Sequence, residues 1–187
     1  VTRADTQEAE ARDLCGRLTI PPMLEIDCAL EQAVEGERAV VTPTGGTFAA
    51  LSRMTLRELD PEADGLAWRQ PSTWLEQQMI IDLDGVDAAL QALVEDPDSP
   101  FGSDVFASAI GALVSGLDDL SRLPLAACGA GASEREVTCR FGADPLGLIM
   151  KVMLIEDGEA RYAVNMRSFN EQRLRHFTAV ANSFERG

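Results

Sequence analysis

A single lysine and a single histidine serve the whole 187-residue chain, and both scarcities exclude chemistry. With His176 as the lone imidazole, a mixed Cys/His zinc site lacks ligands. No two cysteines stand at the two-residue spacing of a zinc knuckle or a redox-active dithiol. A Ser/His/Asp hydrolase would have to recruit that one imidazole as its base, and no Gly-x-Ser-x-Gly elbow accompanies it. Long apolar runs are missing too. The best candidate, "GLIMKVMLI", is strand-sized and interrupted by Lys151, far short of the ~18 residues a membrane-spanning helix needs.

Positive charge is scarce overall and absent from one long stretch. The formal net charge is −15, which disfavours nucleic acid and anionic membrane surfaces, since both are bound through Lys and Arg. Residues 70–121 contain ten acids and not one Lys or Arg. So acidic a segment faces a basic partner or simply solvates the surface.

What the chain does contain is the ordinary apolar content of a globular protein, 45%, in a length that suits one domain over residues 1–187. Its four cysteines fall into two local pairs, Cys15/Cys28 and Cys128/Cys139. Closed as disulfides, each pair would restrict a short loop and contribute ~3 kcal/mol, and would place the protein in an oxidising compartment. The alternative is four buried free thiols in a cytosolic protein. The chain opens "VTRADTQEAEA" with no signal peptide, which fits an exported protein whose leader has been removed.

Local patterns give the elements. "DTQEAEARDLCGRL" reads as a first helix, capped by Asp5 or Thr6, and Pro22 suits the first turn of a second, "PMLEIDCALEQAV", ended by Gly36. Met23, Ile26, Leu30, Ala33 and Val34 make its apolar stripe, and Cys15 and Cys28 would staple the resulting αα-hairpin. A short strand follows near Ala39–Thr42, then a helix over "TFAALSRMTLREL" and a loop over "DPEADGLAWRQP". Thr73-x-x-Glu76 forms a capping box, and a long helix capped by Ser103 ends before Pro124.

The last third changes character. "REVTCRF" alternates, "LGLIMKVMLI" is strand-like, and Asp157-Gly158 marks a hairpin turn before the return strand "ARYAVNMR". A closing helix, capped by Asn170 or Ser168, turns Leu174, Phe177, Val180, Ala181 and Phe184 inward. The expected fold class is α+β, with N-terminal helices on a small antiparallel sheet and a C-terminal β-hairpin followed by an amphipathic helix. That ending is similar in outline to the photosystem-P-subunit-like periplasmic domains and to the acidic secretion chaperones.

One stretch invites a catalytic reading. "IIDLDGV" resembles the first motif of the haloacid-dehalogenase-like phosphatases, which implies Asp82 as nucleophile, Asp84 as acid/base and a bridging Mg²⁺. Beyond those seven positions the sequence departs from the family. The only Lys lies in an expected hairpin strand, and the acidic doublet Asp118-Asp119 precedes it, inverting the family's order. A calcium loop starting at Asp82 fails as well, because Gly85 comes too early and Leu93 stands where the bidentate Glu belongs. Asp84 and Asp87 instead cap a helix whose apolar positions are Val86, Leu90, Leu93 and Val94.

The sequence therefore points to an exported acidic binding or accessory protein that recognises a protein partner, basic in character, or a small ligand. It calls for no enzyme activity, cofactor or metal. Trp68, Trp74, Asp82, Asp84 and Asp87 are the candidate partner-binding residues. A cytosolic chaperone-like regulator is the alternative, and a divergent Mg²⁺-dependent phosphatase the third.

Overall fold

The computed structural model describes residues 12–33, 36–44, 52–75, 128–130, 134–141 and 148–185. Seven strands form one sheet: β1 (Ile26–Ala33), β2 (Gly36–Pro43), β3 (Arg53–Glu58), β4 (Cys128–Ala130), β5 (Glu136–Phe141), β6 (Leu148–Asp157) and β7 (Ala160–Ser168). Their order is β1-β2-β3-β7-β6-β5-β4, and every pairing is antiparallel. Helices flank the sheet, so the class is α+β, as the sequence pattern implies.

The C-terminal third folds as its alternation dictates. Along β6, Leu148, Met150, Val152 and Leu154 face one core, while Ile149, Met153 and Ile155 face the other. Gly158 turns the hairpin at φ +59°, a conformation that suits glycine. The closing helix, Glu171–Asn182, starts at Asn170, whose side-chain oxygen accepts from the backbone N–H groups of Gln172 (2.8 Å) and Arg173 (3.3 Å). Leu174, Phe177, Val180, Ala181 and, just past the helix, Phe184 are all buried. Ser168, the other cap candidate, is buried at the end of β7 and shares a 2.9 Å hydrogen bond with Ser52.

Two cores result, one on each face of the sheet. The closing helix and the N-terminal segment around Leu18 cover the first, which contains Val41, Met54, Leu56, Val164 and Met166. The short helix Gly65–Arg69 and the helical turn over 71–75 cover the second, where Ala67, Trp74 and Leu75 meet Met150 and Val152. "DPEADGLAWRQP", expected as a loop, thus supplies a turn over 61–63 and the whole short helix Gly65–Arg69.

Two sequence expectations are corrected. The second helix expected over residues 22–34 does not form in its described part, residues 22–33, so the αα-hairpin is absent there: Pro22–Leu24 is a single 3-10 turn, and the chain then runs as β1. Ile26 and Leu30, four residues apart, share a face in a strand as readily as in a helix. Cys28 decides the matter, since period 2 turns Ile26, Cys28 and Leu30 together toward the first core, where Cys15 waits. Met23, assigned to the apolar stripe, is instead 86% exposed.

The other correction is β3, which occupies the middle of "TFAALSRMTLREL". It lies between β2 and β7, so Met54, Thr55 and Leu56 are all buried, and a strand covered on both faces shows no amphipathic alternation to separate it from a helix. Thr47, its expected cap, lies outside the described residues, as do Glu76 of the expected capping box and the long helix begun at Ser103.

Candidate functional site

All four cysteines are paired as the local spacing suggests. Cys15–Cys28 ties the N-terminal helical turn over 12–16 to edge strand β1, and Cys128–Cys139 joins directly opposed positions on β4 and β5. Closed disulfides suit a non-reducing compartment. Among the described residues no helix is long and apolar enough to cross a membrane.

Of the expected partner-binding residues, the two tryptophans lie together on the second face. Trp74 is 4% exposed and fills that core, with the Arg57 guanidinium 5.5 Å from its ring centroid. Trp68 is half-buried between two guanidiniums, Arg135 at 4.8 Å and Arg161 at 5.0 Å. Arg135 also hydrogen-bonds Glu156. That bond holds the Glu156 carboxyl below its ordinary range despite desolvation, with help from the charge of Arg161 and from Trp68. The tryptophans are thus parts of an internal network. Asp82, Asp84 and Asp87 lie outside the described residues.

The same face carries more arginine than its sequence context advertises. Arg38 and Arg53 both approach Glu31, at 2.7 and 3.8 Å, and Arg53 stands opposite Arg167 across β3 and β7. Arg57 reaches Asp64 at 2.8 Å. Lys151, the only lysine, is tied to Glu136 across β5 and β6. A phosphatase of the resembled family would need that lysine at its phosphate, and would need the motif strand in a parallel sheet.

A concave feature lies on the opposite face, among the described residues. There the 3-10 turn, the start of β1, the end of β2 and the first turns of the closing helix enclose a cleft of about 340 Å³. Proline at the first position of the turn presets its backbone, and the chain leaves it through Glu25 at φ 43°, ψ 52°. Glu25 is the one non-glycine residue with positive φ among the described residues. Thr44 holds it there: its backbone N–H and its hydroxyl both donate to the Glu25 carbonyl, at 2.7 and 2.6 Å. Such a strained backbone persists only where its surroundings over-determine it.

On the other wall Arg173, His176 and Phe177 stand at i, i+3 and i+4 of the closing helix and so share one side. Phe177 is 1% exposed and belongs to the first core. The side chains of Arg173 and His176 have no hydrogen-bond or ion-pair partner among the described residues. Arg140 and Arg175, by contrast, both pair with Glu171. The sequence marks His176 only as the lone imidazole and gives no signal for Glu25 or Arg173. Once residues 22–34 are taken for a helix, nothing in the sequence brings Met23 near residue 176.

Among the described residues, no three of His, Cys, Asp and Glu gather in a way that would hold a metal ion. No family model matches the chain, and neither a curated protein nor a solved structure matches it.

Proposed function

We propose that this chain is an exported acidic binding or accessory protein without catalytic activity of its own, recognising a protein partner or a small ligand. The observation that carries the reading is the complete closure of the cysteines. A reduced cytosolic chaperone or regulator would hold them as thiols, whereas periplasmic and secreted proteins keep such bridges. Binding rather than catalysis is favoured by how the polar groups are spent. Arg17, Arg57 and Arg135 are each matched with an acid within the fold, and the one hydroxyl among the described residues lining the cleft, that of Thr44, is already committed to the Glu25 carbonyl rather than paired with a base.

The acidic segment 70–121 belongs to the same proposal as the part that meets a basic protein partner, through Asp82, Asp84 and Asp87 within it and Trp68 just before it in sequence. The reading is tested by alkylating thiols in intact cells before fractionation, followed by mass spectrometry of the protein. Full protection of all four cysteines in the periplasmic or secreted fraction is expected. Four alkylated thiols in the cytosolic fraction would overturn export.

A further inference from the structure

We infer that the cleft between the 3-10 turn and the closing helix is a binding site for a small carboxylate bearing an apolar tail. The inference deepens the reading of the protein as a binding protein and rests on it. Three observations converge. The first is size: about 340 Å³ lies at the lower end of the range of small-molecule sites.

The second is chemistry. Leu24 and Ile26 supply the apolar part of a largely polar lining, with Phe177 packed in the core behind it, and Met23, 86% exposed, brings a soft, adaptable residue to its edge. Arg173 and His176 stand on the helical wall, and neither has a polar partner within the described residues. A guanidinium without a carboxylate of its own is complementary to one brought by a ligand, and its planar fork suits bidentate binding. The helix N-terminus does not compete for that anion, because the Asn170 side chain already accepts from Gln172 and Arg173.

The third is the strained residue. Glu25 is held in the left-handed region at the cleft itself, by two hydrogen bonds from Thr44, where a glycine would be free of strain. Glu25 is also an exposed acidic residue lining the cleft on the side of the 3-10 turn, across from the helix that carries Arg173. A ligand carrying two anionic groups is thereby disfavoured, and one carboxylate with an uncharged tail fits best.

The test is titration of the full-length oxidised protein with straight-chain carboxylates from acetate to decanoate. Binding is followed through the Met23 methyl resonance, which is assigned by its loss in Met23→Leu. Affinity is expected to rise about fourfold per added methylene until the tail outgrows the cavity. Arg173→Gln, at a half-buried surface position, is expected to weaken every acid at least tenfold while leaving the melting temperature unchanged. The matching alcohols should bind at least tenfold more weakly than the acids. The inference is overturned by the absence of saturable shifts across the series, by alcohols that bind as well as acids, or by an Arg173→Gln affinity equal to that of the parent. A short peptide with a free apolar C-terminus that binds while the acids stay inert would also overturn it, by making a partner's chain end the occupant. Inert acids together with cysteines protected in the exported fraction would remove this inference and leave the broader reading standing.

Discussion

Arg17 and Asp157, 140 residues apart in sequence, form an ion pair that joins the N-terminal segment to the β6–β7 hairpin. Both side chains are largely buried. The Arg17 guanidinium also donates to the Tyr162 hydroxyl (3.1 Å) and the Glu185 carbonyl (2.8 Å), and lies 4.3 Å from the Phe184 ring centroid. Burial works against its charge, yet the hydrogen bonds to Asp157 and Tyr162 outweigh it and raise its pKa further.

Replacing Arg17 by Met keeps most of the apolar stem and removes every one of those bonds. A loss of about 2 kcal/mol is expected in urea unfolding, on the scale of hydrogen bonds to a charged group. Asp157→Asn alone should cost less, because Tyr162 and Glu185 remain to receive the guanidinium. Equal losses for the two variants would refute this assignment of roles.

The two disulfides should prove separable. By loop length each contributes about 3 kcal/mol, so Cys15→Ala with Cys28→Ala, and Cys128→Ala with Cys139→Ala, are expected to lower stability by similar amounts. Their local effects differ. Loss of the first should raise hydrogen exchange in β1, and loss of the second in β4 and β5. Exchange that rises uniformly in both variants would show that the bridges act only through the unfolded chain.

Acid should weaken the fold through two glutamates. Arg140 holds Glu171, and Arg135 holds Glu156, below the ordinary glutamate value of 4.5. A carboxyl with a depressed folded-state pKa contributes stability that is present above 4.5 and lost as pH falls through the lower, folded value. Melting temperature is therefore expected to drop below pH 4.5, with a shallower drop in Glu171→Gln and Glu156→Gln. Both pairs are solvent-exposed, so 1 M salt should shrink the effect. A pH profile unchanged in both variants would rule this origin out.

No Mg²⁺-dependent hydrolysis of a generic phosphoester is expected from the purified protein. Turnover abolished by Asp82→Asn would instead revive the phosphatase resemblance of "IIDLDGV".

The parts of the fold that could be read from sequence are those where the pattern had a single physical solution. Between Glu136 and Phe184, alternation, an Asp157-Gly158 turn and a helical stripe behind Asn170 agree with one another, and the structure follows them closely. β1 and β3 were hidden for different reasons. In β1 the apolar spacing of Ile26 and Leu30 satisfies both periods, and the proline before it looks like a helix start. In β3 burial on both faces erases the alternation. The cleft was invisible because it is built from Met23, Thr44 and His176, which share no local pattern. The disulfides were legible from spacing alone, and Cys28, had it been used as a periodicity marker, would have exposed β1 as well.

The strand order has a consequence for how the chain is made. At the middle of the sheet β3 pairs with β7, so Arg53–Glu58 finds its second neighbour only when Tyr162–Arg167 exists. A growing chain emerging from the ribosome would hold β1–β2–β3 with an open inner edge until Ala160–Ser168 emerges. Pairings this distant also close slowly. The sheet is therefore expected to remain incomplete until β7 has been made, so the first three strands must wait, unsealed on their inner side, for a partner more than 100 residues downstream.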